Sequence, residues 1–289
     1  MTAFDTGDDI IPRAGVIGWP VDHSRSPKLH GFWLQQHGLT GRYDRLPVPP
    51  ENLAAFMAAL PREPGFRGVN VTIPHKVAVL PYLAQIDPVA RRIGAVNTIV
   101  VQPDGSLFGS NTDAFGFFES LRAAAGENEN MAGWQVAAAP AVVLGAGGAA
   151  RAIIVALLDA GVSELRLVNR SFDKAESLAA EFGPAITALD WEERAAALGG
   201  AGLLVNTTSL GMTGQPALDL PLDDLPRAAL VSDIVYTPLE TDLLARARAR
   251  GNPAVDGLGM LLHQGRPGFQ AWFGVAPAVT PQLRAAVLA

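Results

Sequence analysis

The chain has 289 residues, 49% of them apolar and 17% charged, a balance that excludes an extended disordered polypeptide. The length suits two domains of roughly 100–200 residues each. A net charge of −6 with no lysine- or arginine-rich cluster argues against a nucleic-acid partner, and the absence of cysteine excludes disulfides, thiolate nucleophiles, iron–sulfur clusters and cysteine-ligated zinc.

The opening segment, MTAFDTGDDIIPRAG, lacks the basic start and apolar run of a signal peptide. The longest uncharged apolar stretch, 134–150, is broken by glycines and falls short of the roughly 20 residues a spanning helix needs. The expectation is a cytoplasmic protein with no membrane segment. Residues 14–18 (AGVIG) read as a first strand, and Ser26-Pro27 opens a helix that carries Leu29, Phe32 and Trp33 and stops near Gly38. Segment 43–48 reads as a second strand. Across 51–60, Leu53, Phe56, Met57 and Leu60 recur at helical spacing. Segment 66–73 alternates and runs into Pro74, so a strand should end there in a loop. Segments 95–101 and 106–109 read as a hairpin around Pro103-Asp104-Gly105.

The polar, glycine-rich run 126–133 (GENENMAG) reads as a loop before a new domain. Beyond it come a strand at 141–144, a long alanine-rich helix to Gly161, a strand at 165–168, a helix at 174–182, and strands at 203–206 and 230–234. Strands alternating with helices imply βαβ units and a parallel sheet. Arg246, Arg248 and Arg250 alternate with alanine near a helix end and read as a solvated face that favours the helix dipole. Residues 257–289 return to helical spacing.

Gly145-Ala146-Gly147-Gly148-Ala149 follows a strand and opens a helix. Glycines in that context let the backbone approach a pyrophosphate, while the helix start offers N–H groups and a positive dipole end. At the end of the next strand stands Asn169, 169 − 145 = 24 residues beyond the first glycine. An NAD-binding chain usually places an acid there for the ribose 2′-hydroxyl. Here Asn169-Arg170-Ser171 and Lys174 offer donors for a 2′-phosphate, which favours NADP, although Asp173 adds a negative charge nearby.

In the N-terminal half, polar residues gather at the ends of the expected strands. Ser24 and Ser26, two hydroxyls near a helix start, suit a carboxylate; Ser26 equally suits the N-cap of the helix that Pro27 begins. Alternation aims Asn70 and Thr72 to one face, with Lys76 just beyond Pro74. Asn97 and Asp113 lie in two further small-polar turns and are expected to face inward. His23, His30 and His37 recur every seven residues, but His23 precedes the helix and no carboxylates cluster with them, so no metal site is expected. His75 is read as lying on the surface or just outside direct contact with a ligand.

These residues resemble the shikimate dehydrogenase family across nearly the whole chain. The matching blocks are GWPVDHSRSPKLH at 18–30, NVTIPHK at 70–76, GAVNT at 94–98, GSNTDAFG at 109–116, GAGGAARA at 145–152, NRSFDKA at 169–175, NTTSLGM at 206–212 and DGLGMLLHQ at 256–264. The resemblance implies a two-domain α/β fold. An N-terminal α/β substrate domain, 1–112, is completed by C-terminal helices at 257–289, and a Rossmann-type NADP-binding domain, 113–256, is inserted between them. It implies that Ser24 and Ser26 hold the substrate carboxylate, and that Thr72, Asn97 and Gln264 contact ring hydroxyls or the carboxylate. Tyr236 stands where the family has a substrate-contacting tyrosine. Lys76 and Asp113 resemble the catalytic pair. Gly145, Ala146, Gly147, Gly148, Ala149, Asn169, Arg170, Ser171 and Lys174 match the NADP blocks, and Ile234 and Gly257 match positions at the nicotinamide end. Gly31, Ser171 and Lys174 depart from the commoner Asn, Thr and Arg.

The implied reaction is the reversible NADPH-dependent reduction of 3-dehydroshikimate to shikimate in aromatic amino-acid (chorismate) biosynthesis. Lys76 would stabilise and protonate the developing oxyanion; which of Lys76 and Asp113 titrates stays open. The rivals are an NAD-dependent quinate/shikimate dehydrogenase, a methylene-tetrahydrofolate dehydrogenase, and a cofactor-binding regulator without turnover. Arg170-Ser171 and Ser26 argue against the first, the HSRSP and NTD blocks against the second, and the Lys76–Asp113 pair against the third. Oligomeric state is not legible in the sequence; a homodimer is one assembly it allows.

Overall fold

Short apolar strands bounded by glycine and proline build two sheets, each the centre of one unit of the chain. The structure, a computed structural model, describes residues 10–127 and 135–289. The first unit comprises the described residues through Thr112 together with Gly265–Ala289, and the second is Asp113–Gln264. The first nine residues and most of the expected 126–133 loop lie outside the described residues.

In the first unit, β1 (Arg13–Gly18), α1 (Ser26–Gln36), β2 (Arg42–Pro47), α2 (Leu53–Ala59), β3 (Phe66–Val71), α3 (His75–Ala78), β4 (Gln85–Ile86), α4 (Pro88–Ile93), β5 (Thr98–Val101) and β6 (Leu107–Ser110) follow in order. The sheet order is β2-β1-β3-β5-β6-β4. Strands β1, β2 and β3 are parallel, while β5 runs antiparallel to both β3 and β6. The period-2 pattern divides the sheet between two apolar layers. Ile17, Val69, Val71 and Ile99 pack with Leu53, Met57 and Leu60 on one face. Ala14, Val16 and Tyr43 pack with Trp272 on the other.

The second unit holds α5 (Asp113–Glu127), β7 (Ala141–Leu144), α6 (Gly148–Asp159), β8 (Leu165–Asn169), α7 (Phe172–Phe182), β9 (Ile186–Asp190), β10 (Leu203–Asn206), β11 (Leu230–Asp233), α8 (Asp242–Ala249), β12 (Ala254–Val255) and the start of α9 (Gly257–Phe273). Its sheet is parallel throughout, in the order β12-β11-β10-β7-β8-β9. Strands buried on both faces read as continuous apolar runs, as VVL in β7 and LLV in β10 do. The final helix, α10 (Pro281–Leu288), rejoins the first unit, where Arg25 Nη1 donates to Val287 O at 3.0 Å.

Several expectations shift in the structure. The third strand stops at Val71, and Ile73 is exposed. Helix α5, a segment to which the sequence reading assigned no element, packs against α9. A Cβ on Gly116 would lie 2.5 Å from Gln264 Cβ and 2.7 Å from Met260 O. That contact places residues 257–264 in the second unit, where the sequence had grouped them with the chain ends. The arginines of α8 are more than a solvated face. Arg246 donates to Leu218 O and Leu220 O, and Arg250 to Leu225 O, so they staple the preceding loop. No helix among the described residues is long and apolar enough to cross a membrane.

The aromatic layer of the first unit encloses His30, which is 1% exposed. Its ring stacks on Tyr43 with centroids 3.9 Å apart and planes at 9°, and lies 5.6 Å from both Trp33 and Trp272. Burial pushes the imidazole pKa from 6.5 down to about 3, so it is neutral in the folded protein at pH 7. The unfolded chain takes up a proton near pH 6.5 that the folded chain refuses. His30 therefore contributes stability above that pH, and the contribution is lost as the pH falls towards 3, by up to about 1.4 kcal/mol per pH unit. Denaturant unfolding at pH 7 and pH 5 should show the native chain losing roughly 2 kcal/mol more than His30→Phe. Parallel losses in the two proteins would remove this role for His30.

Candidate functional site

Strand direction decides which turns meet in the first unit. Because β1, β2 and β3 are parallel, the chain leaves all three at one edge of the sheet, with Gly18 opposite Pro47 and Ile17 opposite Val71. Because β5 is antiparallel, its beginning lies at that same edge, with Thr98 paired to Asn70 and to Ser110. The edge thus collects the turns that carry Ser24 and Ser26, Thr72 and Lys76, Asn97, and Asn111-Thr112. Four segments far apart in sequence become neighbours.

Hydrogen bonds lock these turns to one another. Trp19 N donates to Ile73 O at 3.0 Å, and Val48 N to Gly18 O at 3.1 Å. His75, 1% exposed, places Nε2 2.7 Å from Val48 O, so that nitrogen carries the proton. The histidine is therefore a buried anchor for the turn that carries Lys76, not a surface residue. From the other side, Val96 N donates to Lys76 O at 2.8 Å. Thr112 N donates to Asn97 Oδ1 at 2.9 Å, which fixes the residue before Asp113.

Ser26 is the first residue of α1 and is 7% exposed, but its side chain does not cap the helix, because Arg25 is the N-cap residue. Instead Ser24 Oγ accepts from Ser26 N at 3.3 Å. The serine turn is clamped by Arg45, whose Nε and Nη2 donate to Ser24 O at 3.0 and 2.6 Å. The sequence reading missed Arg45; an alternating charge in β2 carried no signal of it.

In the second unit the parallel sheet sends β7, β8, β10, β11 and β12 out at one edge. The order reverses between β7 and β10, the crevice where doubly wound sheets hold ligands. Gly145 turns there with φ +102°, and a Cβ on it would lie 2.7 Å from Thr207 Oγ1. Thr207 Oγ1 itself donates to Leu144 O at 2.6 Å. Gly147 and Gly148 are exposed with open space around them, and Gly147 heads α6 with no side-chain cap. That start can take an anion on its backbone N–H groups. At the end of β8, Asn169 Nδ2 donates to Ser171 O at 2.8 Å and closes a turn that exposes Arg170, Ser171 and Lys174. The neighbouring Asp190 turns its carboxylate into its own capping box with Glu193.

Behind the crevice lies Asp233, with no exposed surface. Its Oδ1 accepts from Asn206 Nδ2 and Val235 N, both at 3.0 Å, and its Oδ2 from Thr241 Oγ1 at 2.7 Å. Burial raises its pKa above the ordinary carboxylate value, and these donors oppose the rise. The carboxyl group ties β10, β11 and the start of α8 together and shapes the turn that bears Ile234 and Tyr236. An acid closing an apolar strand was the available signal for it. Gly257 has a packing reason of its own: a Cβ there would meet Ile234 O at 2.1 Å. Gln264 is held on α5 against Gly116, one turn along from Asp113.

The sheet order and the glycine turn at its reversal define a dinucleotide-binding α/β protein. Two family models match the chain: the shikimate dehydrogenase substrate binding domain at residues 16–99, and shikimate / quinate 5-dehydrogenase at 128–213. A protein of Paramagnetospirillum magneticum named shikimate dehydrogenase (NADP(+)) is 61% identical, with 95% of this chain and 97% of that protein covered. Shikimate 5-dehydrogenase from Thermus thermophilus, solved with NADP(H) and shikimate, is 40% identical with a TM-score of 0.82, covering 96% of this chain and 99% of that one. Quinate dehydrogenase from Corynebacterium glutamicum, solved with NAD, is 31% identical with a TM-score of 0.85 and the same coverage of both chains. The chain belongs to the shikimate dehydrogenase family.

Two glycines of one turn should respond differently to substitution. Gly145→Ala forces a side chain into positive φ against Thr207 and should cost about 1–3 kcal/mol of stability. Gly147→Ala meets open space and should stay within about 0.5 kcal/mol of the native chain. Thermal unfolding without ligand checks both, and equal losses would contradict the geometry.

Proposed function

We propose that this chain is an NADP-dependent oxidoreductase that interconverts 3-dehydroshikimate and shikimate, a step of aromatic amino-acid biosynthesis, with the first unit as substrate domain and the second as cofactor domain. One coincidence carries the reading. Near-full-length similarity to a relative named for NADP(+) accompanies a β8 end that has Asn169, followed by Arg170, where an NAD-binding chain usually has an acid. The relative solved with NAD shares the fold, so the fold alone does not choose the cofactor. The charge at the end of β8 does, through attraction for a 2′-phosphate.

The residues present fit that cofactor. Gly145 to Ala149 and the start of α6 would hold the pyrophosphate, and Asn169, Arg170, Ser171 and Lys174 the adenosine end. Ile234 and Gly257 would border the nicotinamide. When bound, NADPH supplies the hydride for the substrate carbonyl carbon. The chain's own groups do the rest. Ser24 and Ser26 hold the substrate carboxylate, and Thr72, Asn97, Tyr236 and Gln264 fix the remaining oxygens, which aligns the ring. The Lys76 ammonium stabilises negative charge growing on the carbonyl oxygen and delivers its proton from Nζ. Asp113 is its partner in handling that proton. In the reverse direction the neutral lysine accepts it. The cytoplasm is the proposed place of action and a homodimer the proposed assembly.

Cofactor absorbance with shikimate or quinate, each with NADP or NAD, tests the assignment. Turnover should be greatest with shikimate and NADP, and activity confined to quinate and NAD would overturn it. Lys76→Ala should lower kcat by about 10²–10⁴-fold while the protein stays folded. Near-native turnover of that variant would remove the lysine from the mechanism. Arg170→Ala should raise the KM for NADP by roughly 10–100-fold, the worth of one charge-assisted contact, with little effect on NAD. An equal change for both cofactors would show that Arg170 does not read the 2′-phosphate.

A further inference from the structure

The sheet of the first unit has a second edge, opposite the one that gathers the serine and lysine turns. Strands β1, β2 and β3 start there, and β5 ends there. An open cleft of about 560 Å³ lies at that edge, between the end of β5 and the last turn of α9. Small-molecule sites commonly have volumes of roughly 300–1,000 Å³. Leu39, Pro103, Trp272 and Phe273 give the cleft apolar walls, and among the described residues Arg67 is the one charged side chain that lines it.

A β-bulge aims Arg67 into this cleft. Arg13 of β1 pairs with Phe66 and Ala14 with Gly68, so Arg67 is the extra residue between them. Phe66 and Val69 both pack in the layer of Ile17, although strict alternation would set residues three apart on opposite faces. Arg67 consequently shares the face of Asn70, the side on which Tyr43 and Trp272 pack. The bulge depends on Gly68, at φ +149°, where a Cβ would lie 2.0 Å from Ile99 O and 2.4 Å from Trp272 Nε1. Two neighbouring arginines at this edge are engaged: Arg13 lies 4.6 Å above the Phe66 ring, and Arg42 pairs with Asp44 at 3.6 Å. Arg67 makes no hydrogen bond or ion pair among the described residues.

The opposite sign comes from α9. Residues Ala271 to Gly274 line the cleft, and the last turn of this 17-residue helix contains no basic side chain. Its final carbonyls and the negative end of its dipole therefore favour a cation. A simple anion would be drawn to Arg67 and repelled by the helix end. The charge complement of the cleft is a zwitterion with an apolar body.

We propose that this cleft binds an α-amino acid with an aromatic side chain: Arg67 takes the carboxylate in its planar fork, the end of α9 takes the ammonium, and the ring lies against the apolar wall. The proposal does not rest on the reaction assigned to the chain.

Titration calorimetry of the full chain with L-phenylalanine tests it. Binding is expected with a Kd of about 0.1–1 mM. 3-Phenylpropanoate lacks the ammonium, phenethylamine lacks the carboxylate and glycine lacks the ring, and each should bind at least about tenfold more weakly. Arg67→Ala should weaken L-phenylalanine by roughly tenfold and erase its advantage over phenethylamine. Ala271→Trp keeps Arg67 and puts a ring into the cleft, so it should abolish binding; where Arg67→Ala fails to fold, this variant decides. Ser24→Ala, at the other edge of the sheet, should leave binding unchanged. No detectable binding up to about 10 mM, or binding that survives both cleft variants, would overturn the proposal. Loss of binding in Ser24→Ala would put the amino acid in the substrate site and overturn it too. Sedimentation without ligand adds a last check. Self-association abolished by Arg67→Ala would make the cleft an interface between copies of the chain, and the ligand site would fall.

Discussion

Asn70 faces Thr98 across the antiparallel pair β3–β5, and much of the first unit depends on that register. A slip of one residue would turn every side chain of β5 to the other face. Ile99 would leave the apolar layer, and Thr98 would lose both Asn70 and the Asn97 amide. The apolar set Ile17, Val69, Val71 and Ile99 enforces the register from below, because burying a side chain of this size is worth roughly 1.5–3 kcal/mol. Core packing thus fixes a polar arrangement it does not touch. Trp272 Nε1, donating to Ile99 O at 3.1 Å, adds a second lock from α9.

The second unit solves the same problem with different chemistry. Its strands are parallel and dry, so the exits of β10 and β11 cannot be tied by apolar contact alone. Asp233 ties them, accepting from a side-chain amide, a backbone N–H and a hydroxyl at once. A buried carboxyl group is costly unless its oxygens are matched, and here the matching donors are the ends of the elements it must align. Where glycine is required, the reason is close approach. Gly257 lets the start of α9 reach the backbone after β11, and Gly116 lets α9 lie on α5. The small residues set the distances at which Gln264 and Ile234 are held.

Cofactor choice rests on very little structure. The parallel sheet, the reversal between β7 and β10 and the open glycine turn all suit a pyrophosphate, and none of them distinguishes a 2′-hydroxyl from a 2′-phosphate. The distinction falls to the sign of charge at the end of β8. There Arg170 and Lys174 are exposed, Asn169 closes the turn, and Asp190 turns its carboxylate into its own capping box. A single acid at position 169 would cancel the net positive charge left by Arg170, Asp173 and Lys174, and would remove the amide donor with which Asn169 closes the turn on Ser171 O.

The sequence by itself determined the elements with strong local signals: alternating or continuous apolar runs for β1, β7, β8, β10 and β11, the glycine turn at 145–149, and the basic strand end at Arg170. Each follows from backbone sterics, side-chain period or charge within a few residues. The family blocks also marked Ser24, Ser26, Lys76, Asn97 and Asp113 as belonging together, without saying what holds them. Only the tertiary structure decided that. The anchoring of the Lys76 turn by His75 on Val48 O, the Arg45 clamp on the serine turn, the Tyr43–Asn70 hydrogen bond and the Asp233 tie all join residues far apart in the chain. Helix α5, to which the sequence reading assigned no element, and the grouping of 257–264 likewise emerged only there, because Gly116 serves as a contact surface once α9 lies against it. Local pattern reports what a segment prefers, whereas a hydrogen bond between distant segments exists only after packing has brought its donor and acceptor within reach.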